Sequence, residues 1–140
     1  MIEPLHVLVV DDEKDIADVL AEYLRERGDT VESRNSARDA LDALRQHPFD
    51  LVISDAKMAE MDGFEFIRRA RRDYPAIAIL LMTAYAEEYP LSEALEAGAD
   101  GYITKPFTLE KFSLIFEQSY WKALSRQDWW EGHEGSGAKG

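Results

Sequence analysis

A chain of 140 residues that is 46% hydrophobic and 31% charged has the makeup of one ordinary globular domain, long enough to bury a core. Its formal charge of −12 argues against a nucleic-acid surface, which needs clustered Lys and Arg to neutralise phosphates, and points to proteins or cations as partners. No apolar run is long enough for a bilayer, the start MIEPLHVLVVDDE lacks the flank and cleavage site of a secretory signal, and cysteine is absent; a cytoplasmic protein without membrane contact, disulfides or thiolate metal sites is expected.

Short apolar runs alternate with helix-like segments along the chain. HVLVV at 6–10 is rich in β-branched residues and ends at an acidic pair, as a buried strand would. From 14 to 27 the apolar positions Ile16, Val19, Leu20, Tyr23 and Leu24 fall at helical spacing, and Gly28 is a natural stop. A weaker strand over 30–33 and a helix over 37–46 follow, broken by His47 and Pro48. Next come a strand over 51–54, a helix over 64–72, a strand over 77–82 and a short helix over 91–97 that Gly98 ends. A brief strand over 101–104 leads through Pro106 into a last helix over 109–123. Five strands alternating with five helices predict one doubly wound parallel sheet covered on both faces, a flavodoxin-like α/β fold. Residues 1–123 form the expected domain. Residues 124–140 are read as a tail, disordered at its Gly-rich end, with Trp129 and Trp130 either extending the last helix or packing on a neighbour.

In such a sheet, ligands bind outside the carboxyl ends of the strands, near the point where the strand order reverses. The unusual residues all fall there. Asp11 and Asp12 follow the first strand, Asp55 ends the third, Thr83 follows the fourth and Lys105 follows the fifth. Three neighbouring carboxylates repel one another unless a cation compensates, and a hard divalent ion, Mg²⁺ in the cytosol, suits oxygen ligands. Such a place can neutralise a phosphoryl oxygen while a carboxylate oxygen attacks phosphorus.

VVDDE at 9–13, SDAKMAEMDG at 54–63, MTAY at 82–85 and GYITKPF at 101–107, in that order and spacing, resemble the receiver domain of two-component response regulators over residues 5–123. The resemblance implies that Asp55 accepts a phosphoryl group from a histidine kinase or phosphotransfer protein. It implies that Asp11, Asp12, Asp55 and the backbone carbonyl of Lys57 hold Mg²⁺. Thr83 would donate its hydroxyl to the phosphoryl group beside the small Ala84, Lys105 would bind another oxygen next to a cis peptide at Pro106, and Tyr102 would be the aromatic that turns inward when Thr83 moves. Lys57 and Tyr85, two residues beyond the acceptor and the threonine, would flank the approach of hydrolytic water. The expected protein is a phosphoacceptor, not a conventional turnover enzyme. It switches a face for a downstream protein or output domain, with a homodimer through the last helices and strand among the partnerships it allows and no nucleic acid bound directly.

Each residue also has a plainer reading. Asp11 or Asp12 could cap a helix, Thr83 could end its strand, and Lys105 and Tyr102 could be a solvated charge and a half-buried strand residue. Two functional alternatives use the same residues: a pseudo-receiver that binds without phosphate, and a Mg²⁺-dependent phosphatase with an aspartyl intermediate. The phosphatase would need a second acid two residues after Asp55, where Lys57 stands. One departure from the family concerns Ala59, where a proline is usual. Its absence leaves the loop that presents the Lys57 carbonyl freer to move.

Overall fold

A computed structural model describes residues 2–133, with side chains described over 2–126. Its elements are β1 (His6–Val10), α1 (Lys14–Glu26), β2 (Thr30–Arg34), α2 (Ala37–Gln46), β3 (Leu51–Asp55), α3 (Gly63–Asp73), β4 (Ala78–Thr83), α4 (Leu91–Ala97), β5 (Gly101–Thr104) and α5 (Leu109–His133). All strand pairs are parallel and the order is β2-β1-β3-β4-β5. The chain winds outward from β1 to β2, then returns past β1 to build β3, β4 and β5. The reversal lies between β1 and β3, and the crevice that ligands favour is at their carboxyl ends.

Alternation along each strand divides the core into two layers, because successive side chains point to opposite faces. Leu8, Val10, Val52, Ile79 and Leu81 pack under α2, α3 and α4. Val7, Val9, Leu51, Ile53, Leu80 and Met82 pack under α1 and α5. Since both faces are covered, β3 and β4 are buried at every position, and this is why they read as unbroken apolar runs.

Local chemistry sets the helix boundaries. Ser36 caps α2 by accepting the Asp39 N–H at 3.1 Å, and Asp62 caps α3 by accepting the Glu65 N–H at 3.0 Å. Gly98 ends α4 with φ of 122°, a left-handed conformation that glycine adopts freely.

Two expectations need correction. Val19 is not part of the buried stripe of α1, which consists of Ala17, Leu20, Ala21 and Leu24, and is 53% exposed. The last helix does not stop at residue 123 but continues to His133. Trp129 and Trp130 are therefore within its span, although their side chains, and the expected disorder of 134–140, lie outside the described residues. Among the described residues, no helix is long and apolar enough to cross a membrane.

Candidate functional site

Val10 stands beside Ser54 in the β1–β3 register, so the residues that follow emerge side by side at the top of the crevice. Asp11 and Asp55 are nearly closed to solvent, at 2% and 6% exposure, while Asp12 is exposed. One carboxylate oxygen from each of the three lies within 4.8 Å of the others. Lys105 reaches them from the end of β5, its Nζ 3.3 Å from Asp55 Oδ1, 3.7 Å from Asp11 Oδ2 and 3.6 Å from Glu13 Oε1. The Lys105–Pro106 peptide that precedes α5 is cis.

Hydrogen bonds leave this cluster incompletely satisfied. Asp11 Oδ1 accepts the Glu13 N–H at 2.8 Å, and Asp55 Oδ1 accepts the Ala56 N–H at 3.0 Å. Asp11 Oδ2 is buried with no hydrogen-bond partner, a costly state for a carboxylate oxygen. Burial raises the Asp11 pKa to about 7, with Asp55 adding to the rise and the Glu13 N–H and Lys105 opposing it. Asp55 is likewise raised by burial, against Lys105. At Lys105 burial disfavours the charge, but Asp11, Asp55 and Glu13 outweigh it and hold the ammonium above its usual pKa. Asp11, Asp12 and Asp55, with one buried oxygen that lacks a hydrogen bond, form the donor set that a hard divalent cation takes.

The N-cap of α1 is Glu13, without a side-chain capping bond, so neither Asp11 nor Asp12 occupies the cap position. Thr83 is fully buried as the last residue of β4, and its Oγ1 accepts the Tyr85 N–H at 2.8 Å. Register places it one step past Met82, which pairs with Asp55. Tyr102 is half-buried, and its hydroxyl donates to the Tyr89 carbonyl at 2.7 Å. Lys57 and Tyr85 meet each other. The Lys57 ammonium lies 4.4 Å from the centre of the Tyr85 ring and 3.5 Å from Glu88, which joins the loops after β3 and β4 at the surface. Ala84 is exposed beside them.

Three contributors escaped the sequence reading. Glu13 is a further acid on Lys105, and Glu88 braces Lys57. Gly63 begins α3 directly behind the acceptor turn, its N–H donating to the Ala56 carbonyl at 2.7 Å. A Cβ there would strike the Asp55 carbonyl oxygen and come within 2.8 Å of Ala56 Cα. Its signal was a glycine at the first helical position, where most residues would serve better. In the same loop Glu60, next to Ala59, is the one non-glycine with left-handed φ among the described residues, at 68°, so the stretch without the usual proline also holds backbone strain.

A family model described as response regulator receiver domain matches residues 7–117. The chain is 38% identical over 115 residues to the transcriptional regulatory protein ZraR of Escherichia coli K12, covering 82% of this chain and 26% of that protein. It is 36% identical over 114 residues to the regulatory protein AtoC of the same strain, covering 81% and 24%. The chain thus spans about a quarter of the length of these relatives. Among solved structures, a CheY-like receiver domain protein from Methanospirillum hungatei JF-1 superposes with a TM-score of 0.82 at 27% identity, over 89% of this chain and 99% of that one.

Proposed function

Because the chain belongs to the response regulator receiver family, we propose that Asp55 is its phosphoacceptor, taking a phosphoryl group from a phosphohistidine of a sensor kinase or phosphotransfer protein. The observation that carries this is the juxtaposition of Asp55 with Lys105 at 3.3 Å inside a cluster of three carboxylates. A carboxylate oxygen of Asp55 attacks phosphorus, an O–P bond forms, and the N–P bond breaks with its electron pair returning to the imidazole. Asp11, Asp12 and Asp55, with the Lys57 carbonyl, would hold Mg²⁺, which when bound neutralises charge on the phosphoryl oxygens. Asp11 Oδ2, buried without a hydrogen bond, fits that role.

Lys105 supplies the second positive charge, already drawn toward Asp55. Thr83 uses its oxygen as acceptor for Tyr85 N–H, so its proton is free to be donated to a phosphoryl oxygen. A shift of Thr83 toward Asp55 alters the space next to Tyr102, whose bond to the Tyr89 carbonyl ties that ring to the loop before α4. The resulting change of the α4–β5–α5 face is what a downstream protein or output domain reads, and that face is also where a homodimer would form. Lys57 and Tyr85 flank the water that hydrolyses the adduct. The receiver unit is residues 1–123, with 124–140 as a tail whose first part continues α5. The protein works in the cytoplasm, makes no direct contact with nucleic acid or membrane, and is a phosphoacceptor without conventional turnover.

Incubation with acetyl phosphate and Mg²⁺ followed by intact mass tests this reading. The parent should gain one lasting phosphoryl group and Asp55→Asn none. No adduct on the parent would favour a binding module that needs no phosphate, and rapid repeated turnover would favour a phosphatase.

A further inference from the structure

The opposite end of the sheet carries a second charged cluster, which the phosphoryl chemistry does not use. Asp100, in the turn between α4 and β5, has a side chain only 2% exposed, and both its oxygens are taken. Oδ2 accepts the Ile79 N–H at 2.9 Å and Arg71 Nη2 at 2.8 Å, while Oδ1 accepts from Arg126 Nη1. Arg71 lies on α3 and Arg126 on α5. Both guanidiniums also donate to the turn before β4, Arg71 to the Pro75 and Ile77 carbonyls at 3.0 and 2.7 Å and Arg126 to the same two at 3.4 and 3.3 Å. Arg71 donates twice more to the Gly98 carbonyl, at 3.1 and 2.8 Å. One buried carboxylate between two guanidiniums thus ties α3, the end of α4, α5 and the starts of β4 and β5.

The place of Arg126 along its helix gives the cluster a consequence. The stripe of α5 that faces the sheet is Phe112, Phe116, Ser119 and Ala123, each no more than 1% exposed. Arg126 comes next at helical spacing, and there the attachment changes from apolar burial to charged hydrogen bonds. Lifting the helix at Phe112 or Phe116 would open the core. Of the described side chains beyond Ala123, Leu124 and Arg126 are half-buried and Ser125 is exposed, so lifting the helix there would uncover no fully buried apolar residue among them, and such segments are where local opening is least costly. Arg71 makes release easier still. It stays on Asp100 when Arg126 leaves, so no buried carboxylate is abandoned, and the repulsion between two guanidiniums on one acid is relieved.

We propose that Arg71, Asp100 and Arg126 form a latch that holds the end of α5 to the body of the domain and opens locally, freeing the helix beyond Ala123 while the sheet stays folded. The latch and the phosphoryl site stand at opposite ends of β4 and β5, since Asp100 grips the start of both strands, Thr83 ends β4 and Lys105 follows β5.

Hydrogen exchange followed by mass spectrometry on the whole chain tests the latch in the parent, Arg126→Gln and Arg126→Lys. Amides of residues 124–133 should exchange about tenfold faster in Arg126→Gln, the loss expected for a hydrogen bond to a charged group, while those of 51–55 and 101–104 keep the parent rate. Arg126→Lys, which keeps the charge without the fork, should fall between them. Unchanged exchange of 124–133 in Arg126→Gln overturns the latch. Equal acceleration across the sheet overturns it too, because the Arg126 arm would then support the whole fold and not fasten the end of α5 alone.

Discussion

Asp11 keeps its proton to about pH 7 in the folded protein, whereas its ordinary value is 3.8. Between those values the folded state binds the extra proton, so stability must fall as pH rises through that window and level off on either side. Asp55, raised in the same direction, adds to the slope. Urea denaturation of metal-free protein between about pH 4 and pH 7.5 should show this decline, and Asp11→Asn should remove most of it. That variant should be more stable than the parent by about 2–4 kcal/mol at the upper end. Lys57 and Tyr85 yield a second expectation at this scale. With the ammonium seated on the ring and braced by Glu88, neither side chain offers a carboxylate or amide to orient water, so a proposed phospho-Asp55 should last for minutes or longer. Intact mass after removal of the donor should show faster decay in a Lys57→Asn, Tyr85→Glu double variant. Equal lifetimes would mean that the pair does not obstruct water.

The turn from β3 into α3 presents the proposed acceptor, and Gly63 sets how closely it folds back. Gly63→Ala pushes a methyl group against the Asp55 carbonyl oxygen and Ala56 Cα, which rigid backbone cannot absorb without moving. A loss of about 1–3 kcal/mol in urea denaturation is expected, together with slower uptake from acetyl phosphate; wild-type behaviour in both would show that the turn yields freely. At the element scale the sequence was legible wherever period and punctuation agree. α2 ends just before His47 and Pro48 and α4 ends at Gly98, as those residues signal, and β3 and β4 were visible as apolar runs. The convergence of Asp11, Asp12, Asp55 and Lys105 was legible because a parallel sheet puts strand ends on one edge. What was not legible depends on rotamers and on contacts distant in sequence: the Thr83 oxygen held by Tyr85 N–H, Tyr102 bonded to the Tyr89 carbonyl, and Glu13 on Lys105. That α5 continues past Ala123, one of the two readings left open for Trp129 and Trp130, could not be decided from the sequence for a similar reason. Past Ala123 its inward stripe turns from apolar to Arg126, whose partner Asp100 lies 26 positions away, and apolar periodicity cannot register a charged attachment.

For the molecule as a whole, Asp100 joins more elements than any apolar residue of similar size could. Asp100→Ala leaves Arg71 and Arg126 facing each other without their shared anion and the Ile79 N–H without its acceptor, so a global destabilisation of about 3–5 kcal/mol is expected in thermal or urea unfolding. A loss below about 1 kcal/mol would place this cluster with ordinary surface ion pairs. The strand order has another consequence, which concerns the growing chain. After β2, each new strand joins the same side of the sheet, β3 on β1, β4 on β3 and β5 on β4, so during translation the sheet widens in one direction and its raw margin is the strand made last. In the finished protein that margin is the four-residue β5, but earlier it is β3 and then β4, buried at every position once folding is complete. Any intermediate that holds β1, β2 and β3 without β4 therefore presents an apolar edge with nothing beside it, and aggregation of this chain is expected to begin from such a partial sheet and not from the finished fold.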